Sequence, residues 1–246
     1  MILFASCISS LIEVIITHPI DYIKTQKQKN KNFIVNPRNI KVFYTGTIPR
    51  LIGSIPMRYV FWNTQTNIKN YLNNNNIKHP INFLYIGGGT AFCQTLIDSP
   101  IEIMKIKLIS KKELVVKDIL NYKGFMPNLY RNSIIASTFC YFCYQNEKTR
   151  QTKFLAGLLG GVIGSIISQP FDYIKTVKQS PYIIYYKETN ISKMNTLQII
   201  QFFIQNNYKQ LFRGGYYRTL ISGCSMSIGF VTINFINDLF KIHVTK

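Results

Sequence analysis

Residues 19–28 read PIDYIKTQKQ, residues 100–109 read PIEIMKIKLI and residues 170–179 read PFDYIKTVKQ. Each opens with Pro-x-acid-x-x-Lys, so Pro19, Pro100 and Pro170 mark the same frame three times, 81 and then 70 residues apart. Recurrence on that scale is the mark of repeated supersecondary units, and a fold for this chain has to divide into three.

Two further regularities hang on the same frame. Thirteen and nine residues before each proline stand Ser6 and Ser10, Gly87 and Ala91, Gly157 and Gly161. Each is a small-x-x-x-small pair, the spacing that lets membrane helices approach closely. Downstream, FYTG at 43–46, NYKG at 121–124 and LFRG at 211–214 each place an aromatic residue two positions before a glycine, and a second apolar segment follows. One unit therefore reads apolar helix, charged motif, polar loop with a short helix, aromatic-x-Gly, apolar helix. The units span 1–72, 80–149 and 153–242.

The apolar segments have membrane length. Residues 80–97, 154–171 and 219–237 contain no Asp, Glu, Lys or Arg, and about 20 residues of helix cross a bilayer. The other three segments are less clean: 1–20 carries Glu13, 49–68 carries Arg50 and Arg58, and 132–146 is short. Only 16% of residues are charged, yet the formal net charge is +19. Segments 22–50, 103–131 and 173–218 hold seven Lys or Arg each, 21 of the 29 in the chain. Equal division among three loops on one side is an orientation signal. It argues against a nucleic-acid surface, which needs no such partition. The predicted fold class is an all-α membrane protein of six transmembrane helices in three pseudo-symmetric pairs. Residues 1–10 lack the basic start of a removable leader.

No phosphate-cradling loop, metal-ligand spacing or Ser/His/Asp pattern is present, so neither enzymatic activity nor a metal or cofactor is expected. Cys140 and Cys143 form a lone C-x-x-C inside an apolar stretch. With Cys7, Cys93 and Cys224 they read as small buried residues. His18, His79 and His243 read as structural or solvated.

The three Pro-x-[Asp/Glu]-x-x-Lys copies, the aromatic-x-Gly copies and the six apolar segments resemble the mitochondrial carrier family across nearly the whole chain. The resemblance implies a solute transporter of the mitochondrial inner membrane, working as a monomer by alternating access. It also implies a gate on the matrix side, in which Asp21 pairs with Lys105, Glu102 with Lys175 and Asp172 with Lys24. Pro19, Pro100 and Pro170 would kink their helices inward. Gln28 and Gln179 match the family's glutamine braces, and Ile109 stands where the third would be. Gly46, Gly124 and Gly214 would open helices whose free N–H groups bind cardiolipin phosphates. On the cytoplasmic side the family's acid-x-x-base motif is depleted: Thr66/Lys69 and Gln145/Lys148 lack the acid, and Asp238/Lys241 comes a turn late. A weak outer gate, held by hydrogen bonds more than by ion pairs, is the expectation.

Substrate contacts are implied seven residues past each glycine, at Gly53, Arg131 and Ile221, with Ser54, Asn132 and Ser222 beside them. Arg131 is a cation in an apolar stretch, suited to a carboxylate or phosphate. Arg58 offers a second contact, Arg50 and Arg218 are assigned to the matrix side, and Glu13 either meets substrate or protons or pairs with Arg58. A small and an apolar neighbour beside one arginine leave room for a flat ring and a phosphate chain, so an anionic nucleotide is the favoured cargo. The abundance of Asn, Ile, Lys and Tyr codons points to an AT-rich genome, as of a parasite or large virus, and to adenine or thymine nucleotides, deoxy forms included. The alternatives are a small carboxylate or phosphate, a non-transporting adaptor, or a proton or anion leak.

Overall fold

The computed structural model describes residues 2–29, 43–44, 47–77, 79, 81–109, 124–145, 149–179, 185–186, 189–190, 194–212 and 215–244. Among them are seven α-helices: α1 (Ile2–Lys29), α2 (Thr47–Asn74), α3 (Asn82–Ile109), α4 (Phe125–Gln145), α5 (Arg150–Gln179), α6 (Thr196–Asn206) and α7 (Gly215–Val244). A 3₁₀ turn at Tyr208–Phe212 and a two-residue strand pair, Tyr185–Tyr186 with Thr189–Asn190, complete the set.

Six of these helices are 21 to 30 residues long. Each packs on two neighbours in the order α1, α2, α3, α4, α5, α7 and back to α1, which closes a ring. Three contain stretches long and apolar enough to cross a membrane: Leu3–Ile20, Gln151–Lys178 and Gly215–Ile236. The other three are diluted by the polar side chains they turn inward. Isoleucine, leucine and phenylalanine cover the outside: Leu3, Phe4, Ile15, Ile16, Leu155, Ile166 and Ile167 are all exposed. An apolar exterior around polar inner faces inverts the usual soluble pattern.

Pro19, Pro100 and Pro170 lie inside α1, α3 and α5, which run on to Lys29, Ile109 and Gln179. The decapeptides therefore continue helices rather than end them. A proline interrupts the hydrogen-bond ladder without necessarily stopping the helix. Helices α2 and α4 start where a glycine precedes a proline by three residues (Gly46 with Pro49, Gly124 with Pro127), and proline is well tolerated in a first turn, where N–H groups lack helical partners anyway. Gly124 has φ +79°, a left-handed conformation that favours glycine.

The small residues do what their spacing predicts. A methyl placed on Gly87 of α3 would lie 2.5 Å from the Cα of Ser137 in α4. Similar additions at Gly157 and Gly161 of α5 would meet the α7 backbone at Ser227 (2.8 Å) and Ser222 (2.7 Å). Gly160 serves the opposite face of α5, against the Cα of Phe139 at 2.7 Å. Ser6, Ser10 and Ala91 are fully buried. Among the described residues one short helix, α6, follows a decapeptide. It opens with the Asn195 N–H donating to Gln198 Oε1 at 2.8 Å, and it packs Ile199 and Phe203 against Ile174, Val177 and Leu211. The corresponding loops after the first two decapeptides, and Gly46 and Gly214 themselves, lie outside the described residues.

Candidate functional site

The helix ring encloses a chamber of about 320 Å³. Its charged lining comes from one face of every ring helix except α5: Glu13 of α1, Arg50 and Arg58 of α2, Asp98 and Glu102 of α3, Arg131 of α4 and Arg218 of α7. Ser54, Asn132, Ile221, Ser222, Ser225 and Met226 fill the spaces between them. Of the positions read as substrate contacts, Ser54 rather than Gly53 lines the first repeat's wall, whereas Arg131 with Asn132 and Ile221 with Ser222 both face the chamber. Arg50 and Arg218, which the sequence assigned to the matrix side, also reach it.

The residue four past each glycine bridges to the pair just before the proline of the same repeat. Arg50 donates to Thr17 Oγ1 at 2.8 Å and lies 3.5 Å from His18 Nδ1. Asn128 donates to Asp98 Oδ2 at 3.1 Å and to Ser99 Oγ at 3.2 Å. Arg218 donates to Gln169 Oε1 at 2.9 Å and to Ser168 Oγ at 3.2 Å. The bridges tie the starts of α2, α4 and α7 to the proline segments of α1, α3 and α5. Sequence reading missed all three, although a polar side chain at a constant offset from each glycine was visible.

At the decapeptide end the charges form one cluster. Lys175 and Glu102 are ion-paired, the partnership the sequence assigned to them. Arg131 is held on three sides: Asp98 Oδ2 at 3.0 Å, Asp172 Oδ1 at 3.1 Å and Glu102 Oε1 at 3.8 Å. Asn132 Oδ1 accepts from its Nε and Nη2 at 3.0 and 2.9 Å, and Asn132 in turn donates to Thr95 Oγ1 at 2.9 Å. Arg218 lies 3.4 Å from the second oxygen of Asp172. Three carboxylates thus meet three cations, a balance that offsets the cost of removing each charge from water. The side chains of Asp21, Lys24, Lys105, Gln28 and Gln179 lie outside the described residues, and with them the other two gate pairs and both braces.

Across the chamber, Arg58 Nε and Glu13 Oε2 are 2.6 Å apart, and Ser225 bonds to both side chains. Glu13 thus pairs with Arg58 while also lining the chamber. Above this pair, Phe61 and Trp62 of α2, Phe139 of α4 and Phe230 of α7 pack together with almost no exposure. Phe139 sits at the centre, its ring centroid 6.0 Å from Phe61, 5.7 Å from Trp62 and 5.4 Å from Phe230. Phe61 and Phe139 both lie 15 residues past their glycines, Gly46 and Gly124, and Phe230 lies 16 past Gly214, so α2, α4 and α7 each contribute a ring at nearly the same level. Beside them Gln65 donates to Cys140 Sγ at 3.4 Å. Asp238 is exposed; the side chains of Gln145, Lys148 and Lys241 lie outside the described residues. Among the described residues no group of three or more His, Cys, Asp or Glu side chains is placed to hold a metal.

Comparison with known proteins agrees with this architecture. The family description "Mitochondrial carrier protein" matches residues 146–244. The chain is 26% identical over 218 residues to the mitochondrial 2-oxodicarboxylate carrier of Rattus norvegicus, covering 70% of this chain and 72% of that protein. It is 25% identical over 282 residues to the mitochondrial aspartate-glutamate transporter of Saccharomyces cerevisiae, covering 95% of this chain and 30% of that one. A mitochondrial glutathione transporter of Rattus norvegicus is 28% identical over 177 residues, 60% of this chain and 51% of that protein.

Proposed function

We propose that the chain is a member of the mitochondrial carrier family, a transporter of anionic metabolites in the mitochondrial inner membrane, and that its cargo is a small carboxylate. The observation that carries this reading is the chamber itself: about 320 Å³, with four inward guanidinium groups. That volume stands at the small end of ligand sites, roughly 300–1,000 Å³. Guanidinium groups in a low-dielectric enclosure favour planar, bidentate partners such as carboxylates. The relatives named for 2-oxodicarboxylates and for aspartate and glutamate support the same class.

On this reading the six ring helices span the bilayer as three repeats, and transport proceeds by alternating access. The Glu102–Lys175 pair belongs to a matrix-side gate completed by Asp21 with Lys105 and Asp172 with Lys24, with Gln28 and Gln179 as braces. Charges that pair when the gate closes, and face water when it opens, avoid isolation in either state. The aromatic cluster supplies the opposite seal, where acids are scarce. Gly46, Gly124 and Gly214 are assigned to cardiolipin phosphates. Nucleotides form a second reading, favoured by the clustering of Arg50, Arg58, Arg131 and Arg218 with apolar Ile221 between them.

The deciding experiment is uptake into liposomes containing purified protein, tested against a panel. Labelled 2-oxoglutarate, aspartate or another small carboxylate should accumulate, and Arg131→Ala should lower the rate at least tenfold, about 1.4 kcal/mol of lost stabilisation. Nucleotide uptake that small carboxylates do not compete with would move the protein to the second reading. Absence of uptake for every anion tested would reduce it to a non-transporting member of its family.

A further inference from the structure

Asp98 interrupts the symmetry of the chamber. Two residues before Pro19 and Pro170 stand hydroxyl side chains, Thr17 and Ser168, and each accepts a bond from an arginine four residues past a glycine. In the middle repeat both partners differ. The arginine position is Asn128 and the hydroxyl position is Asp98. The cation of this repeat sits three residues further along α4, at Arg131, and the added carboxylate reaches it at 3.0 Å. Asp98 is 2% exposed, and its other contacts hold it in place: Asn128 donates to the same Oδ2, and Ser99 shares that donor.

We propose that Asp98 is an internal stand-in for the substrate carboxylate, a positioning residue that occupies Arg131 while the chamber is empty and is displaced when an anion binds. The inference rests on the carboxylate reading given above and assigns one residue within it. Arg131 keeps Asp172 and Glu102 in either case, so losing Asp98 leaves the guanidinium oriented but with open donors facing the chamber. An anion that must compete with a tethered carboxylate binds more weakly than one meeting an unoccupied cation. Its apparent affinity is reduced by the fraction of the protein in which Arg131 is available. The stand-in also helps the loaded site empty, because Asp98 takes up the guanidinium donors that the departing anion gives up.

The test uses Asp98→Asn, which keeps the shape and one acceptor for Asn128, and the double change Asp98→Ser with Asn128→Arg, which rebuilds the bridge of the other two repeats. In reconstituted liposomes the KM for 2-oxoglutarate should fall at least fivefold in both variants, with kcat reduced as release slows. A role in holding the fold would lower thermal stability and leave KM unchanged or raised, and the double change would restore wild-type kinetics; that result overturns the proposal. A second arm does not depend on the cargo. Phenylglyoxal labelling of Arg131, followed by peptide mass spectrometry on the whole carrier in detergent, should be several-fold faster in Asp98→Asn than in the unaltered chain. Equal labelling rates would sink the proposal whatever the protein transports. Raised labelling in a protein that takes up no 2-oxoglutarate would support it while the carboxylate reading fails.

Discussion

Glu13 and Arg58 show how much rests on single side chains in this chamber. They lie 45 positions apart, on α1 and α2, and meet at 2.6 Å with side chains 6% and 11% exposed. Removing one member of such a pair strands the other, at a cost of about 3–5 kcal/mol, whereas removing both is far cheaper. Arg58→Gln and Glu13→Gln should each lower thermal stability in detergent, and the double variant should be more stable than either. Strict additivity of the two losses would show that the pair is not coupled. The pairing was legible in sequence only as one of several fates for Glu13, because nothing local ties position 13 to position 58. Asp98 was less legible still: it precedes Pro100 by two residues and reads as an ordinary helix acid until the ring closes around it. Arg131, by contrast, stood out as a cation in an apolar run. What the sequence could not say was that three carboxylates already surround it.

At the scale of helices, the small-x-x-x-small pairs mark the close contacts in the sequence itself, since small side chains are what permit backbone approach. The spacing did not reveal which neighbour each glycine meets. Gly160 and Gly161 are adjacent in sequence yet serve opposite faces of α5, one against α4 and the other against α7. The run Gly87–Gly88–Gly89 in α3 offers a sharp test of the distinction. A methyl on Gly87 would sit 2.5 Å from Ser137 Cα, whereas one on Gly88 would meet nothing within 4 Å. Gly88→Ala should leave thermal stability unchanged or raise it by up to about 1 kcal/mol through helix propensity. Gly87→Ala should lower stability, because α3 and α4 must separate. Equal effects from the two changes would show that the α3–α4 contact is not set by Gly87. Helix existence followed from the uncharged runs and the aromatic-x-Gly starts. The extents did not, since the uncharged runs stop near each proline whereas the helices run on past it by nine or ten residues.

At the scale of the whole molecule, a ring of six helices carries a charged cluster at its decapeptide end and a buried aromatic cluster on the other side of the chamber. A transporter needs both ends to close, and the depleted acids at the end away from the decapeptides suggest a weak outer seal. On the proposed reading, four buried aromatic side chains contributed by α2, α4 and α7 supply apolar closure there instead. Apolar constrictions block polar solutes by excluding water, without any ion pair. Phe139 and Trp62 each touch the other three rings, and Phe139 carries no polar N–H, so it is the one to remove. Phe139→Ala costs core packing of about 3–5 kcal/mol, and Phe139→Leu keeps most of the volume while losing the ring contacts, which separates sealing from folding. Liposomes loaded with labelled substrate and placed in buffer without counter-substrate should lose it slowly with the unaltered protein. With Phe139→Ala the loss should be several-fold faster, and with Phe139→Leu intermediate, with insertion unchanged. The same series should lose strict dependence on counter-substrate, because a gate that no longer seals lets the empty chamber conduct. Efflux equal to the unaltered protein in both variants, with exchange intact, would place the outer barrier elsewhere, among the polar side chains near Gln65 and Lys69.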